Sequence, residues 1–364
     1  YTLQVKDAAK ASASLTKLVA AASTGNPDSG SDGTDGVRGF SLQGGYAILG
    51  ASQAIVDEAV AAAKKADIDS NSTYNSDVAQ LKSDRVVTAW WDAGATLKAV
   101  SSELGDQAGG ILTPGSLSDL ASLSKAGRIV TGLRVEPSYV ELEGRILGSS
   151  ASAQLKSGDA GAALGDLSGG TVAGISLSNP EQLVKAELES LSKGPLGPKV
   201  QQEMDQLGAQ LGIALPGDIE NLLGSELAVG VDALPDAGQA LGGIFVTAIT
   251  HPDDLQKALQ TAKVLIAGAG ADAGVHLTAT ANGSSLVLTD DARPASGKLS
   301  DDPGFRAALE GMPSKAVAAG YVDLSTVLAA RPDTPPGLSP LQSLGFYFAT
   351  DSTSPVFAVR LTVK

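Results

Sequence analysis

Shifted by 231 residues, this chain falls on itself without a gap. Tyr74 meets Phe305, Val78 meets Leu309 and Ser83 meets Ser314. Trp90 meets Tyr321, Trp91 meets Val322, Asp92 meets Asp323 and Leu97 meets Leu328. The shared pattern is a short helix, a loop, a strand ending in aromatic-apolar-Asp, and a second helix. One structural plan must then be satisfied twice, which restricts the chain to a duplicated architecture.

The match extends outward with gaps. Tyr46–Leu49 corresponds to Ser285–Leu288, a strand after a Gly-rich turn. Tyr1–Val19 corresponds to about Phe245–Lys263, a strand followed by an amphipathic helix. The strand pair Ile129–Val135 and Tyr139–Ile146 corresponds to Phe346–Thr350 and Val356–Leu361, with Arg145 on Arg360. Asn179-Pro180 and His251-Pro252 both follow apolar strands and put proline where a helix would start, a position that needs no N–H. Apolar stripes follow: Leu183, Val184, Leu188 and Leu191 in one helix, Leu255, Ala258, Leu259 and Ala262 in the other. Val200, Met204, Leu207 and Leu211 mark a third, and Leu227–Val231 alternates as a strand.

These signals predict an α+β fold of two internally repeated units, each a mostly antiparallel sheet covered by helices on one face. Residues 1–148 form the first unit, 149–170 a small, polar connector with a helical turn around Ala162–Leu164, and 171–364 the second unit. The second unit has strands and helices before its matched part for which the first has no counterpart. The expectation is therefore of about seventy further residues upstream of Tyr1, judged from the unmatched length. Tyr1–Val5 already alternates as a strand, so the chain is expected to start inside a folded region.

Composition narrows the function classes. The net charge is −14 with no basic cluster, which repels phosphate backbones and anionic membrane surfaces, so nucleic acid is not an expected partner. There is no Cys, which excludes disulfides, thiolate nucleophiles and Cys-based metal sites and fits an exported protein. His251 and His276 are the only histidines, too few for a His-rich zinc site. No stretch approaches the ~18 consecutive apolar residues of a membrane span, and no signal peptide is visible.

Three segments carry a resemblance: Leu222–Val229 (LLGSELAV), Leu299–Phe305 (LSDDPGF) and Tyr321-Val322-Asp323. The chain resembles the actinobacterial cell-envelope family catalogued as domain of unknown function 3352, over nearly its whole length and in two copies. The resemblance implies a large extracytoplasmic part behind one N-terminal transmembrane anchor, which this chain lacks. It implies no activity and carries over no functional residue.

Candidate chemistry is sparse. Ser-x-x-Lys occurs at Ser14–Lys17, Ser122–Lys125 and Ser190–Lys193, the spacing by which a Lys tunes a Ser nucleophile. Neither Ser-Asp-Asn nor Lys-Thr-Gly follows, Lys156-Ser157-Gly158 being a weak echo of the latter, so exposed helix faces are the better reading. A Ser-His-Asp arrangement would need His251, better read as a helix start, or His276, better read as a half-exposed strand residue. Asp28, Asp32 and Asp35 share a Gly- and Ser-rich loop with oxygen ligands suited to calcium, but a solvated loop is favoured over a calcium site. Asp92 and Asp323 stand at equivalent strand ends. A carboxylate pair can do acid–base work if brought together, but Asp before an apolar helix is foremost an N-cap. Gly268-Ala269-Gly270 follows a helix, so a dinucleotide loop fails its context. Of Trp90-Trp91, alternation puts one ring on each sheet face, and the outward ring is a candidate sugar or partner surface.

No catalytic, cofactor or metal residue is assigned on this reading. The expected function is a non-catalytic extracytoplasmic module of a membrane-anchored envelope protein, with an envelope protein or a hydrophobic ligand as partner. A carrier of a lipid held between helices and sheet is one alternative, and a cell-wall hydrolase is the other.

Overall fold

A computed structural model describes residues 2–5, 7–24, 37–65, 68–82, 84–96, 127–149, 156–194, 197–232, 246–269, 277–290, 297–331, 335–350 and 354–364. The chain forms two compact units, Tyr1–Trp90 with Val130–Arg134, and Trp91–Ile129 with Val135–Lys364.

In the first unit β1 (Thr2–Gln4) leads into α1 (Ala8–Thr24), then β2 (Gly39–Gln43) and β3 (Tyr46–Gly50). Gly44 and Gly45 both have positive φ, which lets β2 and β3 close as a two-residue hairpin. β3 lies between β1 and β2, antiparallel to both. α2 (Gln53–Lys65), a 3-10 turn (Ile68–Ser70), α3 (Ser72–Val78) and β4 (Val87–Asp92) follow. Asn71 caps α3 by accepting from the N–H groups of Thr73 and Tyr74. Tyr74 meets Trp90 edge to face at 5.9 Å, and Trp90 Nε1 donates to buried Asp77 at 2.8 Å.

The remaining strands are β5 (Arg128–Glu136), β6 (Tyr139–Leu147), β7 (Ala173–Ser178), β8 (Glu226–Val231), β9 (Val246–Thr250), β10 (Leu277–Asn282), β11 (Ser285–Asp290), β12 (Ala318–Asp323), β13 (Leu341–Thr350) and β14 (Pro355–Val363). The strand order is β10-β11-β9-β8-β7-β12-β13-β14-β6-β5-β4, and every pairing from β10 to β6 is antiparallel. Among the described residues the second unit's helices include α4 (Ala160–Gly165), α5 (Pro180–Lys193), α6 (Gly197–Leu211), α7 (Gly217–Leu223), α8 (Leu255–Ala269), α9 (Pro303–Ala308) and α10 (Leu324–Ala329). The protein is thus α+β with a large antiparallel sheet, as the alternation predicted. Among the described residues no helix is long and apolar enough to cross a membrane.

The expectation of helices on one face is corrected by the packing of β11. Successive strand residues point to opposite faces. Val287 packs against the cluster that holds Leu164 of α4 and Phe305 of α9, whereas its neighbour Leu286 clusters with Ala258 and Ala262 of α8. Helices therefore lie on both faces, α4 and α9 on one, α8 with Leu222 of α7 on the other. α4 falls in the segment read as a connector. Its Leu164, with Leu167 just beyond it, is fully buried in the largest core cluster, so this stretch does more than connect.

Local starts follow the chemistry of their first residues. Pro180 opens α5 behind Asn179, whose φ of 53° is one that Asn tolerates better than most residues. Pro252 does not open α8. That helix begins at Leu255 behind Asp254, whose Oδ1 accepts from the Lys257 N–H. A backbone bridge between Gly224 and His251 holds the residues before α8 to the segment that leads into β8 instead. The predicted stripe of α5 is only partly covered, since Leu183 and Leu191 remain exposed.

Candidate functional site

The sequence-predicted residues are mostly consumed in holding the fold. Ser14 and Lys17 are exposed on α1, and Ser190 and Lys193 on α5, where Lys193 pairs with Glu189 at 3.6 Å. Ser157 accepts from the Thr350 N–H at 2.8 Å and its hydroxyl meets that of Thr350. His251 Nδ1 approaches Ser285 Oγ at 3.5 Å, beyond ordinary hydrogen-bond length, so no activated serine results. Gly268 lies within α8. Ser122, Lys125, His276, Gly270 and the Asp28–Asp32–Asp35 loop lie outside the described residues. Among the described residues no three ligating side chains converge to hold a metal.

The two strand-end aspartates are both helix caps. Asp92 Oδ1 accepts from the Ala95 N–H at 2.8 Å. Asp323 accepts from the Thr326 N–H at 3.0 Å, and from the hydroxyls of Ser325 and Thr326 at 2.6 Å each. In the strand order β13, β14, β6 and β5 stand between them, so strand pairing does not make a dyad. Asp323 instead shares a cleft of about 280 Å3 with Asp302 and Tyr321. Asp302 caps α9 through the Phe305 N–H at 2.8 Å and receives the Tyr321 hydroxyl at 3.3 Å. Burial first, then the negative charges of Asp302 and Asp323, push the Tyr321 phenol up. For Asp323 burial works against ionisation, but the bonds from Ser325 and Thr326 outweigh it and hold the carboxyl below its ordinary value. An ionised carboxylate with three donors on it is a good cap and a poor proton shuttle.

That assignment has a measurable consequence. Asp323→Ala is expected to cost about 0.5–2 kcal/mol at neutral pH, the usual worth of an N-cap. The folded-state value is depressed, so the contribution is full above the ordinary value of 3.8 and is lost as the pH falls through the folded value. Urea unfolding of both proteins from pH 7 down to acid should show the difference closing; a difference that holds constant would rule out the ionised cap.

Glu226 is a half-buried carboxyl that sequence reasoning missed. Burial pushes it up, although the Asp159 N–H (2.7 Å) and Ser178 hydroxyl (2.8 Å) take one oxygen each. It ties the start of α4 to β7 and β8.

The feature that these roles leave unexplained is the second face of the sheet. Registers align three rows straight across six strands, β8-β7-β12-β13-β14-β6. The central row is Val229, Ile175, Gly320, Phe346, Val359 and Leu142. One flanking row is Leu227, Leu177, Ala318, Phe348, Phe357 and Gly144. The other is Val231, Ala173, Val322, Leu344, Leu361 and Val140. No side chain in these rows carries nitrogen or oxygen. Except for Gly320 and Gly144 none is buried, and Ile175 (46%), Leu142 (39%) and Val359 (39%) are openly exposed.

Across these six strands the opposite face, on which α4 and α9 dock, is the more deeply buried one, and it holds polar residues among its apolar ones. Ser176, Ser178, Glu141, Glu143, Ser343, Arg360 and Thr362 are all buried there. The reason is the helix ends docked on that face. Ser176 donates to the Ala160 carbonyl at 2.6 Å, Ser178 accepts from the Ala160 N–H at 3.0 Å, and Arg360 donates to the Ala307 carbonyl at 3.2 Å. The covered face thus mixes polar side chains that satisfy helix backbones with apolar core residues such as Ala228, Ala319, Tyr321, Val356 and Ala358, while the other face carries only apolar residues in these rows. The most open part of that apolar face is the central row, through Ile175, Val359 and Leu142. Trp91, at the β4 end of the sheet, is the outward ring of its pair at 46% exposed, while Trp90 is half-buried.

Comparison with curated proteins gives no significant match. The model of a family described as proteins of unknown function, DUF3352, matches residues 25–265. The match includes the short connector helix α4 together with β7 and β8, and ends inside α8. Covering more than half of the sequence, it establishes that this chain belongs to the DUF3352 family.

Proposed function

We propose that the chain is a non-catalytic, extracytoplasmic module of a membrane-anchored cell-envelope protein, and that it works by binding through the open apolar face of its sheet. The observation that carries this reading is the apolar second face of six strands, with eighteen positions in three rows and no polar side chain among them. A net charge of −14 keeps such a protein soluble despite the patch and fits an exported chain without cysteine. A hydrolase finds less support, because the strongest carboxylates are spent as caps. The carrier reading is favoured by the same face, with the difference that the site is an open surface rather than a closed cavity.

Binding of an environment-sensitive apolar dye, anilinonaphthalene sulfonate, tests the face directly. The native protein should enhance its fluorescence, and a variant with Ile175→Gln and Val359→Gln should lose most of that signal at unchanged melting temperature. A native protein that leaves the dye dark would show the face to be closed and end this reading.

We infer also that residues 1–148 and 171–364 descend from one repeated unit. The support is a shared offset of 231 residues in local structure. The 3-10 turns begin at Ile68 and Leu299, the helices at Ser72 and Pro303, and the strands at Val87 and Ala318. Asn71 and Asp302 cap through the N–H groups of Tyr74 and Phe305. Tyr74–Trp90 and Phe305–Tyr321 are both edge-to-face pairs, at 5.9 and 5.4 Å. The order β1-β3-β2 parallels β9-β11-β10.

A further inference from the structure

We propose that the ligand of the open face is a single lipid molecule, held by its acyl chains along the three apolar rows; this rests on the reading of that face as the binding surface. Size comes first. Six strands at ~4.8 Å spacing span about 24 Å across the rows, and three rows two residues apart span about 13 Å along the strands. A bilayer lipid's acyl chain covers one leaflet, about half of the ~30 Å hydrocarbon thickness, and so fits within the longer dimension.

Chemistry selects the occupant. Protein–protein interfaces carry about one hydrogen bond per 100–200 Å2. Here no side chain can donate or accept, and the six strands each have neighbours on both sides, so their backbone groups are already paired. A peptide would leave its own polar groups unsatisfied on this surface, whereas an alkyl chain has none. Net charge works against the two other apolar occupants. A second copy would bring −14 against −14, and an anionic bilayer would repel the chain as a whole, whereas the acyl part of one extracted lipid is neutral.

Relief points the same way. A Cβ on Gly320 would run into the Phe346 ring, and one on Gly144 into the Phe357 ring. The two glycines therefore let both rings lie down over the backbone. Ile175, Val359 and Leu142 then stand beside flattened aromatics, a low and continuous surface for a flexible chain.

The test uses phosphatidylcholine carrying a photoactivatable diazirine in one acyl chain, presented in neutral vesicles to the full chain. After illumination the vesicles are floated away and the protein left in solution is digested. One lipid per protein is expected, with the label in peptides covering β7, β13 and β14. The Ile175→Gln/Val359→Gln variant should be labelled at least tenfold less, while Leu207→Gln, on the exposed side of α6, should match the native protein. Label confined to floated protein would mean that the face lies on a bilayer and would overturn the single-lipid assignment. Absence of label from the sheet peptides would overturn it as well. The dye experiment separates the two levels: dye bound without lipid label removes only the acyl assignment, and failure of both removes the binding face.

Discussion

Arg360→Leu is expected to destabilise the protein by about 3–5 kcal/mol, the cost of removing one partner from a buried ion pair. The guanidinium is almost wholly enclosed and meets Glu141 through Nε at 2.8 Å and Nη2 at 2.6 Å. Glu141 is 1% exposed, so the loss of this partner is not made good by bulk water. Nη1 reaches Glu310 at 2.9 Å and the Ala307 carbonyl at the end of α9, and the group sits 4.4 Å from the Tyr139 ring. One side chain therefore ties β14, β6 and α9 together and satisfies a helix-end carbonyl. Replacing both members, Glu141→Leu with Arg360→Leu, should recover much of the loss, because the uncompensated charge disappears with its partner. Urea unfolding of the two singles and the double gives the coupling energy. An Arg360→Leu cost under about 1 kcal/mol would show that the pair is solvated, contrary to its burial.

The same pair shows what the sequence could and could not disclose. Alternation in Pro355–Val363 is plain, with Phe357, Val359 and Leu361 on one side and Val356, Ala358, Arg360 and Thr362 on the other. Ordinary reasoning buries the first set. The protein covers the second, because short helices end on that face and their backbone groups need Ser, Thr and Arg partners. A period of two defines two faces and is silent about which one receives helices. The rows of the binding face were hidden for a related reason. Ile175 and Leu142 are adjacent to nothing in sequence, and only the registers through β12, β13 and β14 align them. Features set within a few residues read well. Asp92 and Asp323 before apolar helices, Pro180 after Asn179, and the strands around Leu227–Val231 and Tyr139–Ile146 are all where local chemistry puts them. Pro252 misled, since a bridge between His251 and Gly224 competes for the residues that would have begun the helix.

The short helix α4 was legible as a helical turn around Ala162–Leu164 but not as part of the core, and it carries the second large effect. Its composition, AGAALG, is that of a linker, and the spacing of Leu164 and Leu167 is too brief a signal to outweigh it. Tertiary fit decides instead. A Cβ on Gly174 would stand 3.0 Å from Leu164 Cδ1 and 2.9 Å from Leu167 Cδ1, and one on Gly230 2.9 Å from Leu167 Cδ1. These two glycines are cross-strand partners, so β7 and β8 offer a bare patch of backbone on which both leucines rest. Ala228, Phe305 and Tyr321 complete the enclosure. Leu164→Ala is therefore expected to cost about 2–5 kcal/mol, since strands on one side and α9 on the other leave little freedom to collapse into the void. Leu164→Met, which nearly conserves volume, should cost under about 1.5 kcal/mol. The double Leu164→Ala/Leu167→Ala should depart from the sum of its singles, because the two side chains share one seat. Guanidinium unfolding monitored at the tryptophans and by far-UV circular dichroism measures all three. Should Leu164→Ala prove as mild as a surface change, the segment from Ala160 to Leu167 is a tether, and the polar face of β7 would lose the helix backbone that explains its serines.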